Sequence, residues 1–484
     1  MASAIEGLKP ELVWKYFAAI SKIPRGSKNE AAISKYVVNT ARSMGLEARA
    51  DKLGNVVVQK PASRGYERKP TIVLQGHLDM VCEKNNDKTH DFLKDPIELV
   101  RKGNILMANG TTLGADNGVA VATNLAIMED RSLEHGPLEL LFTIDEETGL
   151  TGAANLEPGF LNGKTLLNLD SEEEGALYVG CSGGRDTIGN WKLELDPMPG
   201  GSLTAVVRVS GLRGGHSGLE IDKGRGNAIK ILGRVLAALA QHGVRLSSLA
   251  GGNKHNAIPR EAEAVVVFPK KKRDLVLETV VEWNNLVKAE LATAEPDLTV
   301  SLQEHAAKKV KVMKKGVQRR ILQTIAALPH GVTKMSADIP GLVETSTNVA
   351  VIKTEKKAVS LATSQRSSVA SEIVEIAQTV SSILEMGGAD VVASDGYPGW
   401  KPNMDSPVLK VAKSTYRQLY GKDPEVKAIH AGLECGIIGE RYPGMDMLSF
   451  GPTLEGVHSP DEKIYIDTVE RFWNYLLGIL KNVA

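Results

Sequence analysis

Cysteine is scarce: the 484 residues include three, Cys82, Cys181 and Cys435, odd in number and far apart. That argues against a disulfide framework and for a reducing compartment. None has paired metal-ligand spacing, and each reads as a small buried apolar residue. Net charge is also missing, with 58 Lys+Arg against 58 Asp+Glu, so nothing suggests a nucleic-acid or anionic-membrane partner. No run approaches the ~20 apolar residues that span a bilayer. The N-terminal stretch MASAIEGLKPELVWKYFAAI mixes charge with apolar residues at helical spacing. It lacks the apolar core of a signal peptide, so a cytoplasmic location is expected. Neither GxGxxG nor GxxxxGK[ST] occurs, which removes the usual nucleotide-binding fingerprints.

The chain is too long for one ordinary core. Apolar spacing predicts two helices over Pro10–Met44, then strands at Leu46–Ala50, Asn55–Lys60 and Thr71–Gln75. A helix over Leu113–Met128 opens on GADNG, and apolar strands follow at Glu139–Thr143 and Lys164–Leu169. This alternation predicts an α/β layer with a mixed, largely parallel sheet flanked by helices. After about Gly183, strands such as Leu203–Val209 and Ala262–Phe268 alternate apolar with polar residues, and long amphipathic helices separate them. Asn256–Pro269 and Asn348–Ala362, each followed by a helix, look like copies of one α+β unit. The chain then returns to α/β style, with helices at Pro407–Tyr420 and Thr468–Asn482 and a strand at Met445–Phe450. The expected organisation is a catalytic domain over 1–183 and 396–484, interrupted by an inserted α+β lid of dimerisation type over 184–395.

Two apolar strands end in groups that a buried strand would not tolerate. TIVLQGHLDMV delivers His77 and Asp79, and LLFTIDEETG delivers Glu146 and Glu147. Asp116, Asp170 and His458 also follow apolar stretches. Alternation along an extended chain places His77 and Asp79 on one face, where the carboxylate can orient the imidazole. Adjacent carboxylates repel unless cations or protons offset them. On an extended chain Glu146 and Glu147 would point to opposite sides, one to a metal and one to a substrate. Each signal has a plainer alternative. Taken alone, Asp116 reads first as an N-cap of the Gly118–Met128 helix; the plainer alternative for the glutamate pair is a charged loop cap, and Glu172 to Glu174 read as loop charges. Together the groups point to a metal site at the carboxyl edge of a parallel sheet, and to a hydrolase.

GHLDMV, GADNG, DEETG, NLDSEE and GPTLEGVHSPDE, in that order, resemble the dizinc carnosinase/aminoacylase-like metallopeptidase superfamily, and within it the bacterial Xaa-His dipeptidases. The resemblance implies two Zn²⁺ per chain, with Co²⁺ or Mn²⁺ able to substitute. His77 and Asp170 would complete one site, Glu147 and His458 the other, and Asp116 would bridge them. Asp79 would orient His77, and Glu146 would be the general base for a water activated between the metals. The implied activity is hydrolysis of unblocked dipeptides by a homodimer; the same-fold alternative is an amidohydrolase of N-acyl amino acids. In the insertion, the resemblance makes His216 of GLRGGHSG an oxyanion donor, Asn256 of HNAIPR a substrate contact and Arg366 of ATSQRSS a clamp for the substrate carboxylate. Without it, His216 is a turn histidine and Arg366 a surface strand-end arginine. The doubled lid leaves open whether His216 serves its own chain or a partner.

Overall fold

The computed structural model describes residues 4–304 and 310–483. The chain forms two compact units, one of Met1–Gly180, Pro402–Ala428 and Leu433–Ala484, the other of Cys181–Lys401 and Ile429–Gly432. Among the described residues, no helix is long and apolar enough to cross a membrane.

The first unit is built on an eight-stranded mixed sheet, ordered Glu47–Ala50, Val56–Lys60, Leu138–Thr143, Ile72–His77, Thr165–Asn168, Asp446–Ser449, Ala176–Cys181, Glu425–Ile429. Its middle is parallel: Ile72–His77 pairs with Leu138–Thr143 on one side and Thr165–Asn168 on the other, and Thr165–Asn168 pairs with Asp446–Ser449. These strands are largely apolar and buried, as strands of a parallel sheet packed against helices are. Leu138–Thr143 and Ile72–His77 are buried at every position. Their shared direction carries His77, the segment after Thr143 and the segment after Asn168 to one edge of the sheet.

The helix Ala115–Glu129 lies against Ile72–His77 and is buried almost throughout. The contact requires a glycine on the strand, since a Cβ at Gly76 would meet Asn117 Oδ1 at 2.5 Å and the Ala120 methyl at 2.6 Å. A small antiparallel sheet of Leu454–Glu455, Lys463–Tyr465, Ile105–Ala108 and Leu99–Lys102 makes residues 456–462 a hairpin loop, and that loop carries His458. The same sheet holds the strand Ile105–Ala108, which leads into the GADNG turn.

The second unit is built on a nine-stranded antiparallel sheet. The helices Ala228–Gln241, Arg273–Glu290, Lys315–Ala327 and Ala370–Met386 share one core with alternate sheet residues such as Ala205, Val207, Val209, Ala264 and Val266. Alternation is what a sheet with one covered face demands. The side chain of Asn227 caps the first of these helices, accepting the N–H groups of Ile229 and Lys230 at 3.0 and 3.1 Å. The two segments read as repeats enter this sheet as Ala262–Pro269 and the hairpin Val343–Thr354/Ala358–Ser367, followed by Arg273–Glu290 and Ala370–Met386.

Candidate metal centre

His77 ends its strand, and its imidazole is buried. Nε2 lies 3.0 Å from Asp116 Oδ1 and 3.4 Å from Asp170 Oδ1, while Nδ1 lies 3.4 Å from Asp79 Oδ1. The other oxygen of Asp116 faces His458 Nε2 at 3.2 Å, and the same nitrogen is 2.9 Å from Glu147 Oε2. Asp116 is therefore shared by two groups, His77/Asp116/Asp170 and Asp116/Glu147/His458, each with ligand atoms within 4.8 Å of one another.

Asp116 does not cap its helix. Its two oxygens face His77 and His458, and its backbone, with that of Asn117, makes a non-helical break in the helical run that starts after Gly114. Gly118 serves close approach: a Cβ there would lie 2.6 Å from Arg25 Nη2. His458 is held in the left-handed region, at φ +60°, where non-glycine residues are uncommon.

Glu146 and Glu147 are not on extended chain. Asp145, at φ +50°, breaks the direction of the strand, and Glu146–Gly149 form one helical turn. Successive side chains on a helix are rotated by about 100° instead of alternating, so helical geometry separates their directions. Asp79 reinforces the turn by accepting the N–H of Glu146 at Oδ1 (3.0 Å) and that of Glu147 at Oδ2 (3.2 Å), with Ser27 Oγ donating at 2.8 Å.

The electrostatics fit a cation. Burial pushes the carboxyl of Asp170 up to about 6, with Asp116 and Glu147 adding to the rise against His77. Burial also drives Glu146 well above the usual carboxylate range, and Asp170, Glu434 and Glu147 reinforce it. Asp79 resists burial because His77 and the Glu146 amide hold it at about 2. Buried Glu147 Oε1 has no hydrogen-bond partner, and Asp170 Oδ1 has only the long contact to His77 Nε2, whereas buried carboxylate oxygens ordinarily are well bonded. Carboxylate and imidazole donors in this number suit Zn²⁺, Co²⁺ or Mn²⁺. His77, Glu146 and Glu147 form a third group of the same kind, and a fourth, Glu30/Asp79/Asp145, is taken up by backbone and hydroxyl donors of the same turn.

His216, Asn256 and Arg366 belong to the second unit. His216 is on a two-residue strand paired with Ala257–Ile258, which ties its loop to that of Asn256. Its Nδ1 accepts the N–H groups of Gly218 (3.2 Å) and Leu219 (3.1 Å). Burial, then the charge of Arg366, lowers its pKa to about 4. A neutral ring whose Nδ1 accepts must carry its proton on Nε2, leaving Nε2–H as a donor. His216 and Asn256 line a cleft of about 950 Å³ within this unit, and the side chain of Asn256 is exposed. Arg366 is not a surface arginine. It is 6% exposed, with Nη1 donating to the Tyr397 hydroxyl at 3.0 Å and a buried Nε without a partner.

Residues 73–482 match the model of "Peptidase family M20/M25/M40". The chain belongs to this family. Across 99% of both chains it is 41% identical to the cytosol non-specific dipeptidase of Escherichia coli (strain K12). The crystal structure of the aminoacylhistidine dipeptidase from Vibrio alginolyticus superposes with a TM-score of 0.92 and 44% identity, covering 100% of this chain and 99% of that one. The aminopeptidase PepT from Bacillus cereus shares the fold at a TM-score of 0.58 and 16% identity, over 98% of this chain and 99% of that one. The α/β class expected from the sequence is therefore that of M20 peptidases.

Several residues around this M20 centre were invisible in the sequence. Asn117, buried, donates to Leu169 O at 3.0 Å and accepts the His77 N–H at 3.3 Å, fastening two strand ends together. Glu434 is fully buried, receiving Thr143 Oγ1 at 2.7 Å and the amide of Gln75, and burial pushes it up to about 8. Glu174, read as a loop charge, is half-buried against the Tyr416 hydroxyl at 2.9 Å, while Glu172 and Glu173 are exposed. Cys82, expected to be buried, is exposed; Cys181 and Cys435 are buried.

Proposed function

We propose that the chain is a metal-dependent dipeptidase acting on unblocked dipeptides, Xaa-His substrates among them, in the cytoplasm and as a homodimer. The observation that carries this reading is the shared carboxylate of Asp116, which faces His77 with one oxygen and His458 with the other. The full-length similarity to a dipeptidase and an aminoacylhistidine dipeptidase supports the substrate class. In this reading His77, Asp116 and Asp170 would hold one Zn²⁺ and Asp116, Glu147 and His458 the second, with Co²⁺ or Mn²⁺ able to replace them. Metal bound there would polarise the scissile carbonyl and make water easier to deprotonate.

The remaining steps fall to side chains. Glu146 stands outside the two groups that share Asp116, although it also comes together with His77 and Glu147; in this reading its carboxylate takes the proton of the attacking water and returns it to the leaving amine. Asp79 fixes the ring of His77 and the backbone of the Glu146–Glu147 turn. In the same reading His216 would offer Nε2–H to an oxyanion, Asn256 a neutral amide, and Arg366 a planar fork to a peptide carboxylate. The test is a substrate panel of dipeptides, tripeptides and N-acetyl amino acids. Cleavage confined largely to free dipeptides is expected. Preferential hydrolysis of N-acetyl amino acids would replace the reading with the amidohydrolase.

A further inference from the structure

The motif GPTLEGVHSPDE ends in a buried acidic residue with no part in the chemistry above. Glu462 lies on the same hairpin loop as His458 and is 2% exposed. Its Oε2 accepts the N–H groups of Leu113 (2.7 Å) and Gly114 (2.9 Å), and its Oε1 those of Ala115 (2.7 Å) and Asp116 (3.2 Å). A carboxylate offers about four lone-pair sites, and here one run of backbone uses them all. On the same turn the buried guanidinium of Arg25 donates to the carbonyl of Gly114, and to those of Leu78 and Asp79 at 2.9 Å each. The GADNG turn is thus held by two buried charges of opposite sign.

We infer that Glu462 is a positioning residue that sets the spacing between Asp116 and His458, and so governs one of the two metal positions selectively. The inference rests on the dinuclear reading. The group Asp116/Glu147/His458 takes two of its three members from the segments that Glu462 joins. The group His77/Asp116/Asp170 takes only Asp116 from them, and His77 and Asp170 follow strands registered against each other in the parallel sheet. Loss of the Glu462 bonds therefore leaves the second group well defined and loosens the first.

Glu462→Gln keeps the size of the side chain, but its NH₂ must face two of the N–H donors. Glu462→Asp keeps the charge and shortens the reach. Chelator-treated wild-type and variant chains would be titrated with Co²⁺, followed by its visible absorption and by calorimetry. The wild type should take two equivalents. In Glu462→Gln one equivalent should hold within ~3-fold while the other weakens by ~10–100-fold, the range for groups that orient metal ligands. Glu462→Asp should fall between, and it carries the comparison if the Gln variant does not fold. Equal weakening of both equivalents, or unchanged affinities with only a lower melting temperature, would overturn the inference. A wild type that binds one equivalent would overturn the dinuclear reading first, and the inference with it.

Discussion

Asp79 accepts the backbone N–H of Glu146 at 3.0 Å with the same oxygen that faces His77 Nδ1 at 3.4 Å. One carboxylate therefore stands behind a metal-ligand candidate and caps the turn that bears the base candidate. Such a group should matter to both. Asp79→Ala is expected to weaken metal binding by ~10–100-fold, the usual cost of removing a carboxylate behind a ligating histidine. Competition for Zn²⁺ against a chromophoric chelator measures it, and an unchanged affinity would contradict the orienting role.

Glu146 and Glu147 should part company when each is truncated. Glu146→Ala is expected to keep its full metal content while turnover falls by at least ~10²–10⁴-fold, the range for general acid–base groups. Glu147→Ala should lose or weaken one metal, because its Oε2 lies beside His458 and its Oε1 is buried without a partner. Metal analysis of both variants with kcat for one dipeptide decides; equal metal loss in the two would show the roles to be wrongly divided.

The strand ends were legible because they break a strong rule: a buried apolar run does not finish in His, Asp or paired Glu without a reason. The helices were legible from spacing, and Pro407–Tyr420 runs between the expected residues. What failed was local conformation. Alternation assigned Glu146 and Glu147 to opposite faces, yet a left-handed residue at Asp145 converts the strand into a helical turn, and no periodicity reports that. Glu462, Glu434 and Arg25 escaped for a different reason. A charged residue in a loop ordinarily faces solvent, and its burial becomes visible only when backbone distant in sequence closes around it.

Arg366 should recognise the substrate's free carboxylate. Arg366→Ala is therefore expected to raise KM for free dipeptides by ~10-fold or more, in line with loss of a charge-assisted hydrogen bond. The same variant should leave KM for C-terminally amidated dipeptides nearly unchanged. Steady-state kinetics on both substrate forms checks this, and an equal rise for both would assign Arg366 to holding the fold.

His430 makes stability depend on pH. It is buried, with Nε2 2.7 Å from Ser346 Oγ, and burial, then the charges of Arg366 and His216 against Asp222, lowers it to about 3. The unfolded chain takes up this proton below about 6.5, the folded one only near 3. The neutral residue's contribution is therefore intact above 6.5 and lost progressively as pH falls towards 3. His430→Gln should melt with a shallower pH dependence than wild type between pH 7 and 4. Parallel curves in calorimetry would contradict this.

Two metal ions meeting at Asp116 would both be needed for full turnover. Chelator-treated protein reloaded with increasing Zn²⁺ would be assayed for bound metal and for dipeptide hydrolysis on the same samples. Activity should rise to its plateau as bound metal approaches two equivalents per chain. Full activity at one equivalent, or in the metal-free chain, would contradict it.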